Sequence, residues 1–279
     1  MKKLILLSLI TLLCLPVVVY AASIGGAETQ GKGKFSIGLD QEFVFDKDGK
    51  KIDSVVTDGT VTEVWPIEIE IDKMYRTMAK ASYGLLDNLD VYVRLGTADP
   101  DYEEKANGTW TDSAGVAPLD KGTFAATAKY KGDTAFAYGF GMKGTYDLKN
   151  DWLVGCDVQY LRHKNDYKAS ATLVVYDDAG TNIGEDIEEW KGEMTLYEWH
   201  VAPYIAKKLG NFVPYLGVRY SDARLNAKDE GGDKAKVKAD DNVGVFVGTD
   251  YKLGDSWKLN LEGRFIDETA MSVGATYRF

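Results

Sequence analysis

The chain has 279 residues, 27% of them charged, and a formal charge of −10; that acidic balance excludes the basic footprint needed to hold nucleic acid. Its cysteines are Cys14 and Cys156, too few and too far apart in context for a disulfide framework. In chain order, the first element is MKKLILLSLITLLCLPVVVYAAS. Two lysines, an apolar run from Leu4 to Val19 interrupted by Pro16, and small residues at Ala21 and Ala22 fit an export signal that is removed. TLLC lacks the small residues that precede the cysteine of a lipoprotein signal. Residues 1–22 are therefore set apart, and residues 23–279 read as one domain, because no Pro, Ser or Gly-rich linker divides them.

Ten alternating strands follow. The first, 33–45, sets Phe35, Ile37 and Leu39 on one face and Asp40 and Glu42 on the other. A long loop at 46–66 contains SVVTDGTVTEV, a hairpin with Asp58-Gly59 at its tip. Strand 67–85 carries Arg76 and Lys80 on its polar face, and strand 89–98, beyond the turn in YGLLDNL, carries Arg94. A second long loop, 99–133, opens on the acidic DPDYEE. Strands 134–146 and 152–164, joined by YDLKNDW, add Lys143 and Asp157. The third loop, 165–191, holds a hairpin in TLVVYDDAGTNI and the acidic EDIEE. Strand 192–206 carries Glu198 and His200, and strand 211–221, after AKKLGNF, carries Arg219. A fourth loop, 222–240, leads to strands 241–252 and 256–266, joined by YKLGDSW, with Glu262 and Arg264 on the polar face. The last strand, 269–279, alternates Met271, Val273, Ala275, Tyr277 and Phe279 against Ser272, Gly274, Thr276 and Arg278.

Four short polar turns built on one pattern, with long connections between them, describe a row of hairpins. The placement of charge decides what surrounds them. On the faces that continue Phe35, Ile37 and Leu39, the one charged residue is Arg162, near a loop end; the acids and bases named above all fall on the opposite face. A soluble sandwich buries its apolar face and shows its charges to water. Here closure puts the charges inside and the apolar side chains outside, which lipid requires: a Lys or Arg facing the membrane midplane costs about 2–4 kcal/mol. The aromatics Tyr83, Tyr146, Trp152, Phe212, Tyr251, Trp257, Tyr277 and Phe279 gather at the short-turn rim as an interfacial girdle. The fold class is thus all-β: a closed antiparallel transmembrane β-barrel of about ten strands, short turns on one side and long loops on the other.

The export signal, the alternating strands and the terminal Phe279 with Tyr277 two residues before it resemble the small outer-membrane β-barrel proteins of Gram-negative bacteria. The resemblance covers the whole mature chain and implies location in the outer membrane, with its lipid and lipopolysaccharide as surroundings. It also implies that Tyr277 and Phe279 are read by the barrel-assembly machinery. A ten-stranded barrel is narrow, so the expected function is structural, the lumenal charges forming an internal ion-pair network that supports membrane integrity. The alternative is a narrow porin-like channel for ions or small solutes, lined by Arg76, Arg94, Arg219 and Arg264 against Asp40, Glu42, Asp157 and Glu262, with inward glycines such as Gly141, Gly155, Gly217 and Gly248 leaving room. A further alternative is an outer-membrane hydrolase of omptin-like type, for which Asp99, Asp101, His163 and the Glu198–His200 pair are the nearest features. No serine is placed as a nucleophile, and the protein is expected not to be an enzyme. No cofactor is expected. The acidic loops do not have EF-hand spacing, and no metal site is expected; they read as a solvated surface, or as sites of divalent-cation bridging to lipopolysaccharide phosphates.

Overall fold

A computed structural model describes residues 23–48, 52–230, 234–238, 242–266 and 268–279; the export signal expected at 1–22 lies outside them. The described residues form thirteen strands: β1 (Phe35–Asp48), β2 (Ile52–Asp58), β3 (Val61–Leu86), β4 (Leu89–Asp112), β5 (Lys121–Gly132), β6 (Ala135–Asp147), β7 (Trp152–Asp177), β8 (Asn182–Lys207), β9 (Phe212–Asp229), β10 (Lys234–Lys238), β11 (Val243–Leu253), β12 (Trp257–Phe265) and β13 (Thr269–Arg278). Ten of them close a ring in the order β1, β3, β4, β6, β7, β8, β9, β11, β12, β13, every pairing antiparallel. The ring shuts where β13 returns to β1, with Leu39 opposite Ala275 and Ile37 opposite Tyr277. Closure leaves no sheet edge in that ring, which is the condition for strands in lipid.

The other three strands are continuations of the wall. Along β3, β2 prolongs β1; β5 precedes β6 between β4 and β7; β10 precedes β11 beside β9. The four segments expected as long loops are therefore mostly strand. Two tips were legible: Asp58 pairs with Val61, and the β7–β8 hairpin turns between Asp177 and Asn182. The wall is tall on one side and low on the other, because β7 and β8 have 26 residues each whereas β12 and β13 have 9 and 10.

At the short-turn end, the connection in YDLKNDW puts Asn150 and Asp151 in the left-handed region, at φ 60° and 63°. The connection spans residues 148–151, with the Leu148 amide donating to the Trp152 carbonyl at 2.7 Å, and asparagine and aspartate tolerate the left-handed region better than most residues.

The same strands change chemistry part way up. On β7 the odd-numbered residues face inward throughout. Up to Arg162 the outward ones are Val154, Cys156, Val158 and Tyr160; beyond it they are Lys164, Asp166, Lys168, Ser170 and Thr172. Inside, the order is opposite, with Asp157 and Gln159 below and Tyr167, Ala169, Ala171 and Leu173 above. From Trp152 to Arg162 the strand has the roughly 9–11 residues that a tilted strand needs to cross the hydrocarbon layer. Above that line the wall follows the ordinary rule for water, apolar inside and polar outside. This is why the upper wall looked like loop in the sequence: its interior is filled by small residues such as Ala126, Ala128, Ala169 and Ala171, packed around Trp65, Phe124 and Tyr130, and alanine gives a weak alternation signal.

Two shifts of phase keep the faces aligned. A one-residue bulge between Glu70 and Lys73 on β3 carries the inward face from odd Trp65 to even Met74, and the break between β5 and β6 carries it from even Phe124 to odd Ala137. One extra residue flips every side chain beyond it. At the second break Asn165 Nδ2 donates to the carbonyls of Ala98 at 3.0 Å and Asp133 at 2.8 Å, satisfying backbone that the ladder leaves unpaired.

Candidate functional site

The lumen of the membrane-spanning ring is the site. All twelve charged or titratable residues read from the sequence as lumenal point into it: Asp40, Glu42, Arg76, Lys80, Arg94, Lys143, Asp157, Glu198, His200, Arg219, Glu262 and Arg264. Their arrangement is layered.

The upper layer is a guanidinium–carboxylate network. Arg76 Nε meets Glu42 at 3.0 Å and its Nη1 meets Glu198 at 3.3 Å. Arg264 reaches Glu42 at 3.4 Å, and Arg94 pairs with Asp40 and lies 3.8 Å from Glu42. Glu268, between the expected strands 256–266 and 269–279, is buried and joins Arg264 at 2.9 Å to Arg219 at 2.8 Å. Glu262 accepts from the Tyr215 hydroxyl at 3.0 Å. Planar guanidinium groups suit this work, since each can serve two carboxylates at once. At the same level Met78, Ala98, Ala137 and Leu161 form an apolar cluster, Met78 opposite Asp40, Ala98 opposite Arg76 and Leu161 opposite Glu198.

The Glu198–His200 pair expected as a carboxylate orienting an imidazole does not form. His200 Nε2 lies 3.1 Å from Asp157, on the neighbouring strand, while Glu198 faces Arg76. Both residues are on β8 two apart and share a face, but that face is divided between two layers of partners. His163 is also buried and pairs with Asn165 through Nδ1 at 2.5 Å. Asp99 lies on the outer face beside Thr134. The features that suggested omptin-like chemistry are thus dispersed over the wall.

The inward glycines do not leave open room. A Cβ on Gly141 would stand 2.5 Å from the Tyr92 ring, and one on Gly155, 2.4 Å from Tyr204; Gly217 and Gly248 are covered likewise by Phe246 and Tyr215. Each glycine is a shelf on which a neighbouring strand's ring lies. Tyr92 donates to Asp157 at 2.8 Å, and Asn260 Nδ2 donates to the Tyr215 oxygen at 2.8 Å, so the rings are fixed at both ends.

The lower layer contains what sequence reading missed. Residues 23–31, ahead of β1, run through the lumen from the short-turn end. Ser23, Ile24 and Ala27 are at most 1% exposed. The barrel's lysines donate to the carbonyls of this segment: Lys143 to Ile24 at 2.5 Å and to Gly26, Lys80 to Ile24 at 3.2 Å, and Lys258 to Gly25 at 3.4 Å. Its amides turn to carboxylates, Ala27 to Asp250 at 3.0 Å, Gln30 to Asp90 at 3.0 Å and Ser23 to Glu42 at 2.5 Å. Ala27 O also accepts from Thr145 and Tyr204. Glu28 ties the segment to Lys252 at 2.8 Å. Beside it remains a cavity of about 20 Å³, enough for about one water. The signal was present: SIGGAETQGKGK is glycine-rich, does not alternate, and directly follows the small residues of the export signal. Gly25 and Gly26 have φ of 66° and 102°, and Gly26 lies so close to Lys258 and Asp250 that a side chain would collide. Among the described residues no cluster of His, Cys, Asp or Glu is arranged to hold a metal ion.

The outer surface is the converse of the lumen. Leu39, Val93, Leu95, Phe140, Leu216 and Leu261 are all about half exposed, part of an apolar band larger than a water-facing surface carries. Aromatics border it at the short-turn rim, with Phe212 on Tyr251 at 4.7 Å and Trp257 on Tyr277 at 5.1 Å. A second row, with Trp199 against Tyr220 at 5.6 Å and Phe140 against Tyr160 at 5.3 Å, marks the upper edge. Arg162, the one outward charge expected, lies there between the hydroxyl of Tyr138 at 3.0 Å and the ring of Tyr197 at 5.0 Å.

No protein-family model matches the chain, and no curated protein matches it. Solved structures do. The outer-membrane protease OmpT of Escherichia coli is 11% identical, over 88% of this chain and 97% of that one, with a TM-score of 0.51. An outer-membrane channel of Pseudomonas putida F1 is 8% identical over 93% and 100%, with a TM-score of 0.40, and the outer-membrane protein OprG of Pseudomonas aeruginosa is 11% identical over 91% and 99%, at 0.29. Identity this low concerns architecture and carries no activity across. The chain has the fold of the bacterial outer-membrane β-barrel proteins.

Proposed function

We propose that this protein is a sealed, structural barrel of the outer membrane, which anchors a tall β-walled extension at the cell surface and does not conduct. The observation that carries the reading is the filled lumen: a segment of the chain's own N-terminal region occupies the lower half, and a buried ion-pair network with an apolar cluster beside it occupies the upper half. A porin-like passage needs a continuous wet path; the space between the segment and Lys80, Tyr92 and Lys143 holds about one water, and the larger cavity of about 390 Å³ beside Glu28, Gln30 and Gly31 is lined by the short-turn residues Asp87, Asn88, Tyr146 and Asp147. An omptin-like hydrolase needs an acid and a histidine together at the outer rim; here His200 and Asp157 meet deep in the lumen, both nearly inaccessible. The surrounding lipid and lipopolysaccharide would contact the aromatic rows and Arg162.

Purified protein in planar bilayers tests this. The expected record is flat at all voltages that the bilayer withstands; discrete conductance steps from the wild-type barrel would replace the sealed reading with the channel reading.

A further inference from the structure

Above the membrane, the charges on the outer face of the wall stand in cross-strand rows. Glu103 is opposite Lys129 and Glu193 opposite Lys228, the arrangement that favours pairing. Asp166 faces Glu193, and Lys164, 2.9 Å from Glu193, offsets that acidic pair. The next row up is different. Lys131 on β5 is opposite Lys168 on β7, which is opposite Lys191 on β8, so three exposed lysines lie in line across adjacent strands. Like charges placed directly opposite destabilise a sheet. Acids stand at the two ends of the row: Asp101 opposite Lys131, and Glu230, whose amide donates to the Lys191 carbonyl at 3.1 Å.

An open cavity of about 620 Å³ lies over this row, within the size range of small-molecule sites. Lys129 and Ser170, opposite each other in the row above, also line it, between Glu103 and Glu189. Four lysines thus surround one hydroxyl, with carboxylates at the margins. Ammonium groups are compact point charges, and a phosphate monoester answers them with nearly two negative charges and three strong acceptor oxygens. Carboxylates at the margins suit hydroxyl donors. The site has a fixed height. From Arg162 to Lys168 on β7 is about 20 Å along the strand, which at a tilt of about 45° sets the cavity about 14 Å above the membrane edge.

We propose that this cavity is a binding site for a phosphorylated saccharide, its phosphate held by Lys131, Lys168 and Lys191 with Lys129 at the edge, and its hydroxyls donating to the flanking carboxylates of Asp101, Glu103 and Glu189. The bound phosphate relieves the repulsion along the lysine row, and the unliganded wall carries that repulsion. Two sources have this chemistry: the glycolipid headgroups of the surrounding leaflet and a soluble sugar phosphate. The site lies on the outer face, so it goes beyond the sealed-barrel reading and does not depend on whether the lumen conducts.

The experiment titrates the folded full-length barrel in detergent, at low salt, with three probes: purified lipopolysaccharide, the same glycolipid after removal of its phosphates, and glucose 6-phosphate. A phosphorylated probe should bind, the dephosphorylated glycolipid should bind at least about tenfold more weakly, and the double variant Lys168→Gln, Lys191→Gln should lose at least about tenfold in affinity for the phosphorylated probe. Lys121→Gln, which alters an exposed lysine paired with Asp178 at 3.4 Å away from the cavity, should bind as wild type. The urea midpoint of the unliganded double variant should equal or exceed that of wild type, because the substitutions remove like charges from facing positions. Binding of the glycolipid without glucose 6-phosphate assigns the site to the headgroup layer, and binding of glucose 6-phosphate assigns it to solutes as well; either result supports the proposal. Binding of neither, equal binding of the dephosphorylated glycolipid, or a double variant that binds like wild type overturns it. So does a lowered midpoint of the unliganded double variant, since the lysines would then hold the wall together.

Discussion

Arg94 shows how much rests on a single lumenal side chain. It serves Asp40 and Glu42, donates to Gln159 at 3.0 Å and holds the carbonyl of Ser23. Arg94→Ala leaves Asp40 and Glu42 without one of their buried cations, so its cost should lie in the range for breaking a buried pair, roughly 3–5 kcal/mol, read as a lower urea midpoint in detergent or vesicles. An unchanged midpoint would mean that water reaches Asp40 and Glu42 and that the network is wet. Gly141→Ala probes the opposite fault, excess volume. Its new methyl meets Tyr92 and the carbonyl of Val158, both at 2.5 Å, and a backbone oxygen does not move aside; about 1–3 kcal/mol of destabilisation is expected. If Gly141→Ala is neutral, the shelf is looser than its geometry states. The identity of these residues as inward-facing was legible, because strict alternation fixes a face. Their partners were not. Glu198 and His200 share a face at two-residue spacing, yet which neighbour each one meets depends on the stagger between strands, and alternation carries no information on stagger.

At the scale of the strand, β7 crosses from lipid to water without changing phase, and the outer face alone records the crossing. Val158 and Ser170 are both outward on it. Val158→Arg places a guanidinium opposite hydrocarbon and should cost about 2–4 kcal/mol; Ser170→Arg, on the same face above Lys164, should stay within about 0.5 kcal/mol. Urea unfolding in lipid vesicles measures both. Equal costs would move the membrane boundary away from Arg162. The lower halves of these strands were legible from sequence because lipid demands large apolar residues outside and polar ones inside, a high-contrast pattern. Their upper halves were read as loops because water outside and alanine inside reduce that contrast, and because bulges at Glu70–Lys73 and between β5 and β6 interrupt the period where it is faintest. The lumenal segment at 23–31 was passed over for a related reason: it has no period, so its glycine-rich composition set it outside the strands without saying where it lies, and its fit depends on the wall around it.

For the molecule as a whole, the ring shuts where β13 meets β1, and the lumenal segment 23–31 touches that seam. Phe279 donates its amide to the carbonyl of Phe35 at 2.9 Å, and the two rings stand 5.7 Å apart. Arg278, the residue before it, reaches inward to Glu28 of the lumenal segment at 3.9 Å, so the strand that shuts the ring also contacts the segment that fills it. In the finished barrel Phe279 remains 67% exposed, and deleting it removes little more than one rim contact of about 1.5–3 kcal/mol at most, spread over a ring held by ten pairings. On the proposal that assembly machinery reads this end, its loss acts earlier, before any ring exists. Deletion of Phe279 should therefore sharply reduce the folded fraction recovered from cell outer membranes while leaving refolding into detergent close to wild type. Phe279→Tyr, which keeps a ring, should assemble, and Phe279→Asp, which sets a second carboxylate beside the terminal one, should not. Heat-dependent migration on gels measures the folded fraction in both settings. Normal assembly of the deletion in cells would reduce Phe279 to a seam residue, whereas equal losses in cells and in detergent would locate its role in the stability of the closed ring.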